Sequence, residues 1–456
     1  MKQEKHYHVK TCRGWVYAEE AIHGPNNRPT PTYAVYEPTE EGWQDLNQQF
    51  LQVNADLRRA GLEVVEAPEP VCDEGSCSRV AALFAAQDID ILHALIITWS
   101  FDHYTVRIQQ IVGVPVAIHT IPGIHTGSIV GGQQLGCILA DLEVEHRLFY
   151  GELGNLETSQ EISIYAQACG LQRRLKGARF LMLGRRTPGM TPIAVDEVEI
   201  MRLFGARLVQ MGMDEFADLA AKVSAAEAEA EWKNVSAQAA SRSSSRAISC
   251  SPEHAIASMC NYLAMKQLAS DWNLQGITVG SYPDCQGTAC LPIALLNNEG
   301  IVAGCEGDMN STIAMYLLHL LSGTPVHFGE MLAVDEKENC LVSSHCGAAA
   351  PGLAAKDGYI LCPVRLAHSG VCIRFKSKPS PVTYVNLVGR KDNYRMCAFE
   401  GNAVLTEMVF EGNPLRIQLK TPFRQIWESV SWHGFGHHWM SAYAHVTPAG
   451  QNYAAS

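Results

Sequence analysis

Gly300-Ile-Val-Ala-Gly-Cys-Glu-Gly-Asp-Met-Asn310 reads as a short apolar strand that runs into a carboxylate, a glycine and a second carboxylate, and then into a helix predicted over 309–321. This order puts Glu306 at the end of a strand over 300–305, on the carboxyl edge of a parallel sheet, where open α/β folds hold their ligands. Asp308 falls at the N-cap of the helix, where a carboxylate satisfies free backbone N–H groups. Capping accounts for Asp308 and leaves Glu306 without a structural reason.

The same strand-then-helix rhythm surrounds this stretch. Strands are predicted at 176–184, 206–210 and 276–280, with helices at 195–204, 216–240, 252–270 and 291–297. Earlier in the chain, apolar runs at 33–36, 62–66, 89–97 and 114–119 alternate with helices at 41–60, 79–87 and 103–112. Alternation at this interval implies parallel sheets covered on both faces. The expectation is α/β, with two Rossmann-like lobes at 1–175 and 176–323. The glycines of 122–136 predict a loop, either one that lets the backbone approach a ligand or a subunit, or a mobile connection. Helix is expected over 137–172, and a polar surface loop at 241–246. Gly184-Arg-Arg-Thr-Pro-Gly189 matches neither Gly-x-Gly-x-x-Gly nor the P-loop pattern, so nucleotide binding is not expected there.

Beyond Thr324 the texture changes to short β runs, at 326–334, 341–345, 371–376, 382–388, 397–405 and 415–419, with no long helical pattern between them. They predict a β-rich, barrel-like domain over 324–456. Glu330 shares a strand face with Val326 and Phe328, because side chains alternate with period two. An acid on an apolar face is expensive unless it is paired or metal-bound. After a turn at 335–339, the returning strand carries His345 back toward Glu330. The last element is His433-Gly-Phe-Gly-His-His438, between Trp432 and Trp439. Paired histidines there also suit a packed core turn. With Glu306, Glu330 and His345 available, a metal site is the favoured reading, since two carboxylates and two imidazoles suit a divalent ion such as Mn²⁺.

A formal charge of -12 over 456 residues argues against nucleic acid or an anionic membrane as partner. The polar N-terminus has no apolar core of the secretory kind, and no run of residues is long and apolar enough to span a bilayer. Fifteen scattered cysteines favour reduced thiols and a cytoplasmic setting.

Gly304-x-Glu-Gly-Asp308, Glu330, His345 and Gly436-His-His438, in this order and at these intervals, resemble the metal-dependent L-arabinose isomerases, and more distantly the L-fucose isomerases. Asp284-x-x-Gly287-x-x-x-Leu291-Pro292 resembles the loop before the first catalytic glutamate of the arabinose enzymes. The chain looks like a short, divergent member. The resemblance implies aldose–ketose isomerisation of a small free sugar through an enediol, with Mn²⁺ or another divalent ion. Glu306 and Glu330 would be the acid/base pair, and Glu306, Glu330, His345 and His438 the metal ligands. Tyr282, Asp308 and His437 would line the substrate pocket. A homo-oligomer is also implied, hexameric or trimeric, in which the first lobe of one subunit closes a neighbour's site. Where the arabinose isomerases bring a histidine to that neighbour, this chain has Val130; Trp99 and His103, or His125, can compensate. Three alternatives use the same features: a sugar epimerase, a non-catalytic sugar-binding protein and a metal-dependent hydrolase.

Overall fold

The computed structural model describes residues 28–35, 43–124, 126–243, 247–282, 287–389, 393–446 and 453–455. Asp284, His125 and residues 244–246 lie outside them. Two compact units are present, 17–174 and 175–456.

In the first unit the strands are β1 (Thr30–Val35), β2 (Val64–Glu66), β3 (Leu92–Ile96), β4 (Val116–Thr120) and β5 (His146–Tyr150). They form a parallel sheet in the order β2-β1-β3-β4-β5. The helices are α1 (Trp43–Arg59), α2 (Glu74–Ala85), α3 (Asp102–Val112), α4 (Ser128–Asp141) and α5 (Leu156–Leu175). Period-two alternation sorts them onto two faces. Leu92, Ala94 and Ile96 meet Phe84 of α2, Ile108 of α3 and Leu139 of α4, whereas Ile91, Leu95 and Ile97 meet Leu57 of α1 and Ile162 of α5.

Two expectations fail here. The second half of the glycine-rich stretch is not a loop but helix α4, because its glycines serve close packing: a Cβ on Gly132 would sit 2.2 Å from Cγ2 of Thr120 on β4. The helix expected over 137–172 is interrupted by β5, an edge strand. Only Phe149 of its five residues is buried, so the strand carries little apolar signal.

The face under α1 and α5 also holds two histidines. His93 and His119 are fully buried with ring centroids 5.6 Å apart, and neither ring nitrogen of His93 has a hydrogen-bond partner among the described residues. Burial, with the His119 charge adding to it, pushes His93 well below the usual imidazole range. Burial also takes His119 down to about 4, against an opposing interaction with the Gly151 peptide. Both rings are therefore neutral in the fold and free to take protons in the unfolded chain, near pH 6.5. As pH falls from 6.5 to 4 the unfolded state binds more protons, so stability is lost over that window, by about 3 kcal/mol for His119 alone. Urea unfolding at pH 7 and pH 4.5 checks this: the acid loss should shrink by roughly that amount in His119→Gln, and an undiminished loss would clear His119 of the effect.

The second unit opens with β6 (Arg179–Leu183), α6 (Glu197–Phe204), β7 (Arg207–Met211), α7 (Met213–Ala220), α8 (Ala225–Arg242), α9 (Pro252–Asp271), β8 (Gly276–Val279), α10 (Cys290–Asn298), β9 (Val302–Cys305) and α11 (Met309–Ser322). The strands form a parallel sheet in the order β7-β6-β8-β9. The helix expected over 216–240 is two helices; Ser224 breaks it, capping α8 with a side-chain bond to Glu227 N.

The β-rich part contains β10 (Val326–Asp335), β11 (Cys340–Ser344), a small pair β12 (Ile360–Cys362) and β13 (Cys372–Arg374), then β14 (Ser380–Val388), β15 (Arg395–Val404), β16 (Leu415–Leu419) and β17 (His438–Ala442). The order β14-β17-β10-β11-β16-β15 returns through a β14–β15 pairing, which closes an antiparallel barrel and leaves no free edge in that circuit. The β10–β11 ladder shifts register between Met331 and Ala333. A helix was not expected here, yet α12 (Phe423–His433) precedes β17. It is short and buries only Ile426 fully, leaving Trp427 and Trp432 exposed, so it carries a weak core-facing stripe.

Candidate active site

Barrel register and the end of β9 bring the site together. Glu330 of β10 stands directly opposite His438 of β17 on one side and Ser344 of β11 on the other, and His345 is the residue after Ser344. Phe328, two residues before Glu330 and on the same strand face, packs its ring against both His345 (centroids 5.1 Å) and His438 (4.7 Å). The hairpin expected from sequence thus forms, with Val326 and Phe328 buried beside the acid.

Glu306 arrives from the second sheet. It follows β9 and has φ +63°, a left-handed backbone rare for a side-chain-bearing residue. Gly307 continues the turn at φ +71°, where a Cβ would lie 2.8 Å from Arg186 Cα. The Glu306 carbonyl accepts from both N and Oγ1 of Thr187, each at 3.1 Å. Backbone strain of this kind is held only where surrounding contacts enforce it.

The two pieces meet at His438. Its Nε2 lies 3.0 Å from Glu306 Oε2 and its Nδ1 2.8 Å from Asp308 Oδ2. Asp308 also caps α11, accepting from Ser311 N at 3.0 Å and Ser311 Oγ at 2.6 Å. One carboxylate therefore ties the helix start to the barrel histidine. His345 Nε2 lies 3.7 Å from Glu306 Oε1, and its Nδ1 is buried without a hydrogen-bond partner among the described residues. His437 is exposed, with its ring 4.0 Å from that of His438.

Charge follows from these contacts. Burial pulls His438 down, but hydrogen bonds to Asp308 and Glu306 and their charges push it up to about 9. Burial raises Glu306, and the His438 hydrogen bond with the nearby imidazoles more than offsets this, leaving it below the usual carboxylate range. Glu330 is raised by burial and the Glu306 charge, with His438 opposing. Burial takes His345 down to about 4 despite Glu306.

Donor atoms of Glu306, His437 and His438 lie within 4.8 Å of one another, a spacing that can hold a metal ion. This carboxylate–imidazole set suits a divalent cation, and of the expected ligands Glu330 and His345 fall outside it while His437, expected to line the pocket, falls inside. Of the remaining residues, Tyr282 is partly exposed and its carbonyl accepts from Thr187 Oγ1 at 3.2 Å, beside the site. Trp99 belongs to the unit 17–174, where its Nε1 donates to Gln134 Oε1 at 3.1 Å, and Val130 is exposed on the first turn of α4. Thr187, which holds the Glu306 carbonyl, was missed by sequence reasoning; the passed-over segment 184–189 was its only signal.

A small cleft of about 10 Å³ adjoins the cluster, lined by Pro192, Ile193, Asp308, Asn310, His437 and His438 among others. No helix among the described residues is long and apolar enough to cross a membrane.

No family model matches the chain. It is 24% identical over 336 residues to the sulfoquinovose isomerase of Alkalicoccus urumqiensis, covering 71% of this chain and 73% of that protein. It is 22% identical over 363 residues to the sulfoquinovose isomerase of Priestia aryabhattai, covering 77% and 80%. A sulfoquinovose isomerase of Clostridium sp. (strain MSTE9) is 31% identical over 160 residues, 34% of this chain and 36% of that one. The similarity is to enzymes in each case, and it supports an aldose–ketose sugar isomerase, the class that the site motifs imply.

Proposed function

We propose that the protein is a divalent-metal-dependent aldose–ketose isomerase, with Glu306 and Glu330 as its acid/base pair and a sulfonated aldohexose, sulfoquinovose, as its substrate. The observation that carries this reading is the meeting of Glu306 with His438, which Asp308 braces, with His345 3.7 Å from the same carboxylate and Glu330 opposite His438 in the barrel register. The substrate rests on the name shared by the relatives.

Isomerisation moves a proton from C2 of the aldose to C1 and a second proton from the O2 hydroxyl to O1. Carboxylates able to take and return a proton within hydrogen-bond reach of the carbon pair are what such a transfer needs. Glu306, Glu330, His345 and His438 would hold the ion, Mn²⁺ by donor type, with His437 at the mouth; when bound, it supplies Lewis-acid polarisation of the sugar oxygens. Asp308 accepts the Nδ1 proton of His438 and so aims Nε2 at the centre, a carboxylate–histidine brace common behind metal ligands. Turnover must lower the barrier by roughly 8 kcal/mol or more, a demand met chiefly by polarisation and positioning. Oligomerisation with a neighbour's first lobe closing the site remains part of the reading; exposed Phe101, Ile129 and Val130, beside the carboxyl edge of the first sheet, suit such a contact.

The test is NMR of Mn²⁺-loaded protein in D₂O with sulfoquinovose, glucose, pentoses and 6-deoxyhexoses. Ketose formation from sulfoquinovose with deuterium at the exchanging carbon is the expected result. Epimer without ketose would move the activity to an epimerase, and silence from a metal-loaded protein across the panel would overturn the proposal.

A further inference from the structure

We infer that Arg186 reads the anionic substituent of the substrate and thereby sets a preference for a sulfonated over a neutral sugar, an inference that rests on the isomerase reading above. Strand order β7-β6-β8-β9 means that the loop after β6 emerges on the same carboxyl edge as Tyr282 after β8 and Glu306 after β9.

The loop is locked to the Glu306 turn by backbone contacts. Thr187 donates twice to the Glu306 carbonyl, Arg186 Cα fills the space beside Gly307, and a Cβ on Gly280 would lie 2.0 Å from the Arg185 carbonyl. Arg186 therefore has a fixed main-chain position relative to the acid/base pair, as a specificity residue must.

Its guanidinium is half-buried and held by Nη1 alone, on the carbonyls of Thr187 (3.3 Å) and Met190 (2.7 Å). Both partners are neutral, and among the described residues no carboxylate lies within ion-pair distance of it. Nε and Nη2 remain, the side of the guanidinium that engages two oxygens of a tetrahedral or planar anion at once. Two residues after Met190 the same loop becomes the wall of the cleft, at Pro192 and Ile193, with Asp308, His437 and His438 across from it.

Electrostatics then fixes the direction of binding. At the acid/base end, Glu306 and Glu330 with the ion they would hold take the oxygens on C1 and C2, which leaves the sulfonate at the other end of the sugar. A sulfonate is best placed toward Arg186, which has no carboxylate partner among the described residues. A neutral sugar can accept hydrogen bonds from that guanidinium but lacks the ionic attraction.

Steady-state kinetics of Mn²⁺-loaded wild type, Arg186→Met and Arg186→Lys, on sulfoquinovose and on glucose, test this. Arg186→Met should raise KM for the sulfonated sugar roughly 10- to 100-fold, with kcat and the glucose reaction within about twofold of wild type. Arg186→Lys should recover part of the loss. Equal losses on both sugars would make Arg186 a loop brace and overturn the inference, as would an unchanged ratio. Wild type that turns over sulfoquinovose while Arg186→Met keeps its selectivity overturns this inference alone; wild type inactive on every sugar overturns the isomerase reading beneath it.

Discussion

Glu306→Gln is expected to lower kcat by about a thousandfold, the size of effect that a general acid or base supplies, while the protein stays folded. Glutamine keeps the size of the side chain and an oxygen that can accept from His438 Nε2, so the packing of β9 against the barrel persists. It cannot carry a proton between carbons. Glu330→Gln should do the same from the barrel side. Its neighbours His438 and Ser344 are set by strand pairing, which the substitution leaves alone. Deuterium uptake into the sugar gives the sharper reading than product formation, since it reports the proton transfer itself. A variant with wild-type exchange would show that its carboxyl group is not one of the pair, and circular dichroism would confirm that a silent variant is folded.

His438→Ala carries the second large effect, on metal content and on stability together. In the metal-free protein this imidazole stands between Asp308 and Glu306, both buried. Removing it leaves two carboxylates without their shared partner, and breaking a buried ion pair in this way costs about 3–5 kcal/mol. Elemental analysis should find metal occupancy well below that of wild type, and the metal-free variant should unfold at lower urea. Unchanged occupancy would remove His438 from the ligand set; unchanged stability would mean that water replaces the ring at little cost.

The parts of the site that sequence made legible are those written in local pattern. Glu306 could be read because a strand, a turn and a helix follow in one short stretch, and Glu330 because its alternation with Val326 and Phe328 put a charge where apolar side chains belong. His345 followed from the length of a hairpin turn. Asp308 was only half legible. Its capping role is local, but its bond to His438 joins residues far apart in the chain, and no spacing rule reports it. Thr187 and Arg186 were hidden for the same reason: their meaning comes from the approach of the β6 loop to Gly307. The misread elements share a different cause. Strand β5 is largely exposed, helix α12 buries one side chain fully, and α4 uses glycine for close packing, so each departs from the composition that burial usually imposes. Closure of the barrel is also a long-range fact, settled by the pairing of β14 with β15.

The register shift between Met331 and Ala333 separates Glu330 from the turn at 335–339. Residues gained or lost at that tip are absorbed on the far side of the irregularity. Between Val326 and Glu330 the ladder against β17 runs residue for residue, and one inserted residue there would turn the carboxylate to the opposite face. The tip is therefore where the barrel can change its length among relatives, or accept a grafted peptide, and the stretch before the shift is where neither can happen without loss of the enzyme.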